Sequence, residues 1–304
     1  MATTKAKTTK KSTVKKPVTS SSAKTVAAKP TKTVNVASTT TAPTKNLLKG
    51  FFGRKYDVNE NILTIFKSPR IIGAVLGEII GTMLLTMILL TLGIFNPLYL
   101  IFGVMVITIG VFALSGANLN PAITVGMMAS RRMSPIRGTL YIIAQVVGAW
   151  FGLLVVNAFK LAGGETAQEL PAIGAIDDKM FWAITFVELI GAIIIGFCFA
   201  RALIYKRSVF TFGAVVAGGV FVAVLLAIVL TGNYMGIQEN SFVLNPAVAI
   251  MYQALPAEAP DFGTLLGDIG LALTTYAIFP MLGATIGFYL SDFAGKLSGE
   301  KASE

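Results

Sequence analysis

Four sites in this chain have residue types and spacing that could do chemistry: Asn120-Pro121-Ala122, Asn245-Pro246-Ala247, and two glutamates inside apolar runs, Glu78 and Glu188. Asn followed by Pro reads as a helix start, because the Asn oxygen caps free N–H groups and Pro, having no N–H, suits the first helical position. The stretches that follow, Ala122 to Ala129 and Ala247 to Ala254, are only about two to three turns long. Crossing a hydrocarbon core takes roughly 20 residues. They are therefore predicted to be re-entrant half-helices. Each half-helix directs unpaired N–H groups and about half a positive charge beyond its N-terminus. Two of them facing each other repel cations, hydronium included, and impose no charge penalty on neutral molecules. With the Asn oxygens used as caps, the amide NH2 groups of Asn120 and Asn245 are left to donate into a lumen. A water held by both would point its hydrogens away along the passage, interrupting a proton-hopping chain.

The elements that must position these groups follow from hydropathy. The chain is 54% hydrophobic and 13% charged with a mean hydropathy of +0.73, which excludes an ordinary soluble domain. Six apolar runs reach spanning length, at about 71–95, 97–114, 138–158, 180–204, 212–231 and 264–290, and the half-helices fall after the second and the fifth. Gly77-Glu78-Ile79-Ile80-Gly81 in the first run is answered by Val187-Glu188-Leu189-Ile190-Gly191 in the fourth. Gly148-Ala149-Trp150-Phe151-Gly152 in the third is answered by Gly283-Ala284-Thr285-Ile286-Gly287 in the sixth. Three spans and a half-helix thus occur twice, and an odd number of spans turns the second copy upside down. The predicted fold class is an all-α membrane protein with six transmembrane helices and two re-entrant half-helices in an inverted repeat. Residues 1–58 form a basic tail and lead-in, 59–158 the first repeat, 159–179 a connecting loop, 180–291 the second repeat and 292–304 a C-terminal tail.

Charge orients this bundle. Of the +10 formal charge, residues 1–50 hold eleven Lys and no acid, so the remainder carries 14 basic and 15 acidic residues. The tail is too poor in large apolar residues to fold and is expected to be disordered, with anionic lipid as the partner its charge fits. Arg54, Lys55, Lys67 and Arg70 precede the first run, Arg131, Arg132 and Arg137 lie between the second and third, and Lys206 and Arg207 follow the fourth. The loops on the other side are acidic. The positive-inside rule then puts both termini in the cytoplasm and the 159–179 loop outside a cell membrane. The chain has no His, which removes the commonest general base and metal ligand, and its single Cys198 has no partner for an internal disulfide. No enzymatic role, metal or cofactor is expected.

On these motifs the chain resembles the aquaporin (major intrinsic protein) family over about residues 71–291. The resemblance is carried by Glu78-x-x-Gly81-Thr82, Ser115-Gly116-Ala117-x-x-Asn120-Pro121-Ala122, Tyr141-x-x-Ala144-Gln145-x-x-Gly148-Ala149 and Pro280-x-x-Gly283-Ala284. It implies a narrow pore in each of four protomers, a homotetramer, with Asn120, Pro121, Ala122, Asn245, Pro246 and Ala247 at the pore midplane. It also implies that Glu78 and Glu188 accept N–H groups of the re-entrant loops. The small residues Gly81, Gly148, Gly152, Gly283 and Gly287 would let helices approach closely.

Departures from the family pattern bear on what passes. Asn118 stands where the family usually has His, and Val248 where it has an Arg lining the outer constriction; no Lys or Arg occurs from Ser208 to Gly295. Removing a cation about 5 Å from a passing positive charge relieves roughly 3 kcal/mol at an effective dielectric of about 20. Val here resembles some plant vacuolar members associated with urea and ammonia as well as water. Ala249 replaces the Asp of glycerol-conducting members. For the remaining filter positions, Phe102 follows from anchoring on Phe102-Gly103 and Leu100 from counting back from Asn120; Phe242 is a third candidate. The function expected is passive passage of water and small neutral solutes across the bilayer through a widened outer filter. A secondary transporter is the alternative, since inverted repeats and broken helices also build carriers.

Overall fold

A computed structural model describes residues 69–91, 97–166, 178–205, 208–234, 242–252 and 261–299. The basic tail, and Arg54, Lys55, Lys67, Lys206 and Arg207 of the charge pattern, lie outside the described residues. In chain order the helices are α1 (Pro69–Thr91), α2 (Pro97–Ser115), α3 (Pro121–Ala129), α4 (Pro135–Ala162), α5 (Asp178–Ala202), α6 (Val209–Ile228), α7 (Pro246–Tyr252), α8 (Phe262–Leu273) and α9 (Phe279–Leu297). The helix α5 runs into a 3-10 turn at Leu203–Tyr205 and α6 into a π-helical turn at Val229–Tyr234, while α8 and α9 are joined through a π-helical turn at Thr274–Ile278. No strand occurs among the described residues.

Proline sets many of the starts. Helices α1, α2, α3, α4 and α7 each begin on one, where the fixed φ suits the helix and the missing N–H would have had no partner. Ser134, Ser208 and Asp261 cap α4, α6 and α8 by accepting from the N–H groups of Arg137, Thr211 and Thr264. Among the described residues, six helical stretches are long and apolar enough to cross a membrane: α1, α2, α4, α5 from Phe181, α6 with its π turn, and α8 to α9 from Gly263. The helices α3 and α7 are the two short ones, with nine and seven residues.

The two repeats pack alike. In the first, α1 lies against α4 and α2; in the second, α5 lies against α9 and α6, and α2 meets α6 across the centre. The half-helices cross over, α3 packing on α9 and α7 on α4. Close approach depends on glycine. A β-carbon at Gly148 would collide with the carbonyl oxygen of Ile79, and one at Gly283 with that of Leu189; Gly152 and Gly287 meet the Met83 and Ile193 carbonyls in the same way. Along α1 the residues Ala74, Gly77, Glu78, Gly81 and Thr82 are buried, while Ile72, Leu76, Ile80 and Leu84 form an exposed stripe at every fourth position. Polar groups inside and aliphatic ones outside suit a protein whose solvent is lipid.

Candidate functional site

The site is built where the two half-helices meet. The chain reaches α3 through Gly116 (φ 84°), Ala117 (φ 56°) and Leu119 (φ 53°), and reaches α7 through Leu244 (φ 58°). A left-handed backbone at a residue with a β-carbon costs roughly 1–2 kcal/mol, so something must hold it. In the first loop Glu78 does so. Its Oε1 accepts the Asn118 N–H at 3.0 Å and its Oε2 accepts the Leu119 N–H at 2.7 Å. In the second, Glu188 accepts the N–H groups of Val243 and Leu244. Both carboxylates have no exposed surface.

The left-handed turns aim the Leu119 and Leu244 carbonyls at the opposite half-helix. Asn120 Nδ2 donates to Leu244 O at 2.8 Å, and Asn245 Nδ2 donates to Leu119 O at 2.9 Å. Each Asn oxygen meanwhile caps its own helix, Oδ1 of Asn120 accepting from Ala122 N at 2.8 Å and Oδ1 of Asn245 from Ala247 N at 3.1 Å. The structure therefore brings the two tripeptides together, and it corrects one count. Of the two hydrogens on each Asn amide, one is committed to the opposite loop, so a single N–H from each is left over.

The first loop has further support. Gln145 Nε2 donates both to Glu78 Oε2 at 2.7 Å and to Thr124 Oγ1 at 2.9 Å, and Thr124 Oγ1 lies 3.1 Å from the Asn120 carbonyl it donates to. Tyr141 donates its hydroxyl to Ser115 O at 2.9 Å. The Asn118 side chain, at the position of the family's usual His, donates to Thr124 Oγ1 at 3.3 Å. Beyond the helix end, Arg132 forms a two-pronged pair with Asp292 of α9, at 2.6 and 3.2 Å, and lies over the Phe288 ring.

A cavity adjoins the meeting point. It is lined by the loop residues Ala117 to Asn120 and Val243 to Asn245, by Leu100, Val104, Ile107 and Thr108 of α2, and by Val216, Val220 and Val224 of α6, with Leu85, Leu89, Ile123, Ile195 and Phe199 completing the wall. It offers about 60 Å³ to water-sized centres. One water needs roughly 10–15 Å³ on that measure, so a short file fits.

Not every expected lining residue is in this wall. Phe102 is 61% exposed on the outer side of α2, and Leu100, at 1% exposed, lines the cavity instead. The two are about 200° apart around the helix, so only one of them can face inward. Phe242 packs in the hydrophobic core with Leu244 and Phe199. Val248 is buried in the first turn of α7; neither it nor Phe242 lines the cavity. From α6 come the three valines, which no sequence signal had singled out. The periodicity of α6 is uniformly apolar, so it does not say which face is inward.

A family model described as Major intrinsic protein matches residues 65–290. The chain belongs to the major intrinsic protein family. This major intrinsic protein is 25% identical over 180 residues to the aquaporin AqpM of Methanothermobacter marburgensis, an alignment covering 57% of the chain and 65% of that protein. It is 32% identical over 95 residues to the probable aquaporin PIP2-5 of Arabidopsis thaliana, covering 31% and 33%. It thus spans less than two thirds of the length of these curated relatives. Among solved structures it is similar to the X-ray structure of the aquaglyceroporin from Plasmodium falciparum, with 20% identity, a TM-score of 0.45, and coverage of 75% of this chain and 97% of that one.

Proposed function

We propose that the chain is a passive transmembrane channel for water and small neutral solutes. The observation that carries this reading is the crosswise pairing of Asn120 and Asn245 at the edge of a mostly aliphatic cavity. Two helix N-termini meet there, so the local field opposes cations, while one spare N–H on each amide is left for a neutral guest. Such a guest loses water partners among the aliphatic side chains and regains part of them at the amides, which favours molecules of few polar groups.

The outer filter is proposed to be wide and weakly polar, admitting urea or ammonia beside water, because Val248 replaces a cation. Position 248 lies in the first turn of α7, about 60° short of one full turn beyond Asn245, buried and outside the wall of the cavity described above, so the outer filter is proposed to lie beyond that cavity. A homotetramer in the plasma membrane with both termini in the cytoplasm, and a tail that contacts anionic lipid, complete the proposal.

The test is a stopped-flow assay of proteoliposomes exposed in parallel to gradients of water, urea, glycerol and ammonia. Permeability above that of empty vesicles, without ion coupling, is the expected result. Accumulation against a gradient would replace the channel with a carrier. Val248→Arg in normally inserted protein should lower urea permeability more than water permeability, and an unchanged ratio would remove position 248 from the filter.

A further inference from the structure

The walls that α2 and α6 give to the cavity are built on the same spacing. Leu100, Val104 and Thr108 on α2 and Val216, Val220 and Val224 on α6 each recur every fourth residue, on one face of a helix. Five of the six are aliphatic. Thr108 is the exception, and Val224, third in the α6 series, has nearly the same shape without the hydroxyl.

The Thr108 hydroxyl does not behave like most threonines of the spans. Thr86, Thr231 and Thr285 turn back to the carbonyl four residues earlier, at 2.8 Å in each case. For Thr108 no such bond, nor any other hydrogen bond to the protein, is found among the described residues, although the residue is 1% exposed. Nor is it sealed away in the manner of Thr82, whose hydroxyl is buried without a partner, since Thr108 borders the cavity. A buried hydroxyl without a partner costs roughly 1–3 kcal/mol, a cost removed whenever a molecule in the cavity bonds to it.

We propose that Thr108 is a solute-contacting residue, giving the cavity a hydrogen-bond station on the α2 wall. This rests on the channel reading above. A hydroxyl both donates and accepts, whereas the spare Asn amide hydrogens can only donate. Water leaving the Asn pair with its hydrogens unsatisfied would find at Thr108 an acceptor for one of them. Without it the α2 wall is as aliphatic as the α6 wall, and a narrow apolar passage empties readily.

The experiment is water permeability per inserted channel in proteoliposomes for wild type, Thr108→Val and Thr108→Ser. Val keeps the shape and removes the hydroxyl; Ser keeps the hydroxyl and removes the methyl group. Thr108→Val is expected to fall about two- to twelvefold, the range of one neutral hydrogen bond, with Thr108→Ser remaining near wild type. Unchanged or raised permeability in Thr108→Val overturns the proposal, as does a fall in Thr108→Ser as large as that in Thr108→Val, which would mark a packing effect. A wild type no more permeable than empty vesicles sinks the channel reading itself, and Thr108's role with it.

Discussion

The two re-entrant loops make the same turn and are held by different means. Glu78 and Glu188 stand at equivalent places, and both accept two successive backbone N–H groups ahead of the Asn. Around Glu78, however, Gln145 ties the carboxylate to Thr124 on the half-helix. At the matching places of the second repeat stand Pro280 and Ala249, which have no side-chain donors. The second repeat also holds both π-helical turns, in α6 and between α8 and α9, where α2 and α4 are unbroken. What the repeat preserves is therefore backbone contact and small residues, while side-chain networks have diverged. Close helix approach admits few solutions, whereas a buried carboxylate can be satisfied in several ways.

The largest expected effect falls where the halves agree. Gly148→Ala and Gly283→Ala should each destabilise the protein by about 3 kcal/mol, because each new β-carbon meets a backbone carbonyl that cannot rotate aside. Thermal unfolding in detergent checks this, and a large difference between the two would break the equivalence of the repeats.

Next comes the point of divergence. In Glu78→Gln a single amide oxygen replaces two that serve Asn118 on one side and Leu119 with Gln145 on the other. At least one buried donor is stranded, for a loss of about 2–3 kcal/mol. In Glu188→Gln the amide oxygen can take the place of Oε1, which accepts from both Val243 and Leu244, and only the second contact of Leu244 N–H, to Oε2 at 3.1 Å, is lost, so the loss should be smaller, about 1 kcal/mol. Equal losses in the same unfolding assay would show that Gln145 adds nothing to the first loop.

The smallest effect concerns helix caps at corresponding places, Ser134 on α4 and Asp261 on α8. The Asp261 carboxyl is held below its ordinary value by the N–H and hydroxyl of Thr264. A lowered value means the cap stabilises above the unfolded pKa of about 4 and is lost as pH falls through the folded value. Ser134 does not titrate. Unfolding followed between pH 6 and 3 should show a small acid loss that Asp261→Asn reduces and Ser134→Ala leaves unchanged.

Much of this arrangement was legible in the residues. Asn-Pro pairs announce helix starts by local chemistry, and the paired glycines and glutamates fall at matching places in each repeat, so the six spans, the half-helices and the inversion could be read directly. The left-handed Leu119 and Leu244 could not, because a leucine carries no sign of positive φ; the strain is imposed by a carboxylate 41 residues away in one case and 56 in the other. The crosswise Asn bonds depend on those turns and were hidden with them. Phe102 and Leu100 could not be separated because α2 is apolar all round, and only packing against α1 and α6 decides its rotation. Gln145 was visible within a motif, but its two hydrogen bonds, to Glu78 and to Thr124, need three elements in place.

The reciprocal Asn bonds also set an order of events. Asn120 takes its acceptor from Leu244, a residue 124 positions later in the chain, and a ribosome adding roughly 5–20 residues per second needs about 6–25 s to reach it. During that interval the first loop is inserted but incomplete, with an amide hydrogen lacking its final partner. Maturation of the first half is thus timed by synthesis of the second.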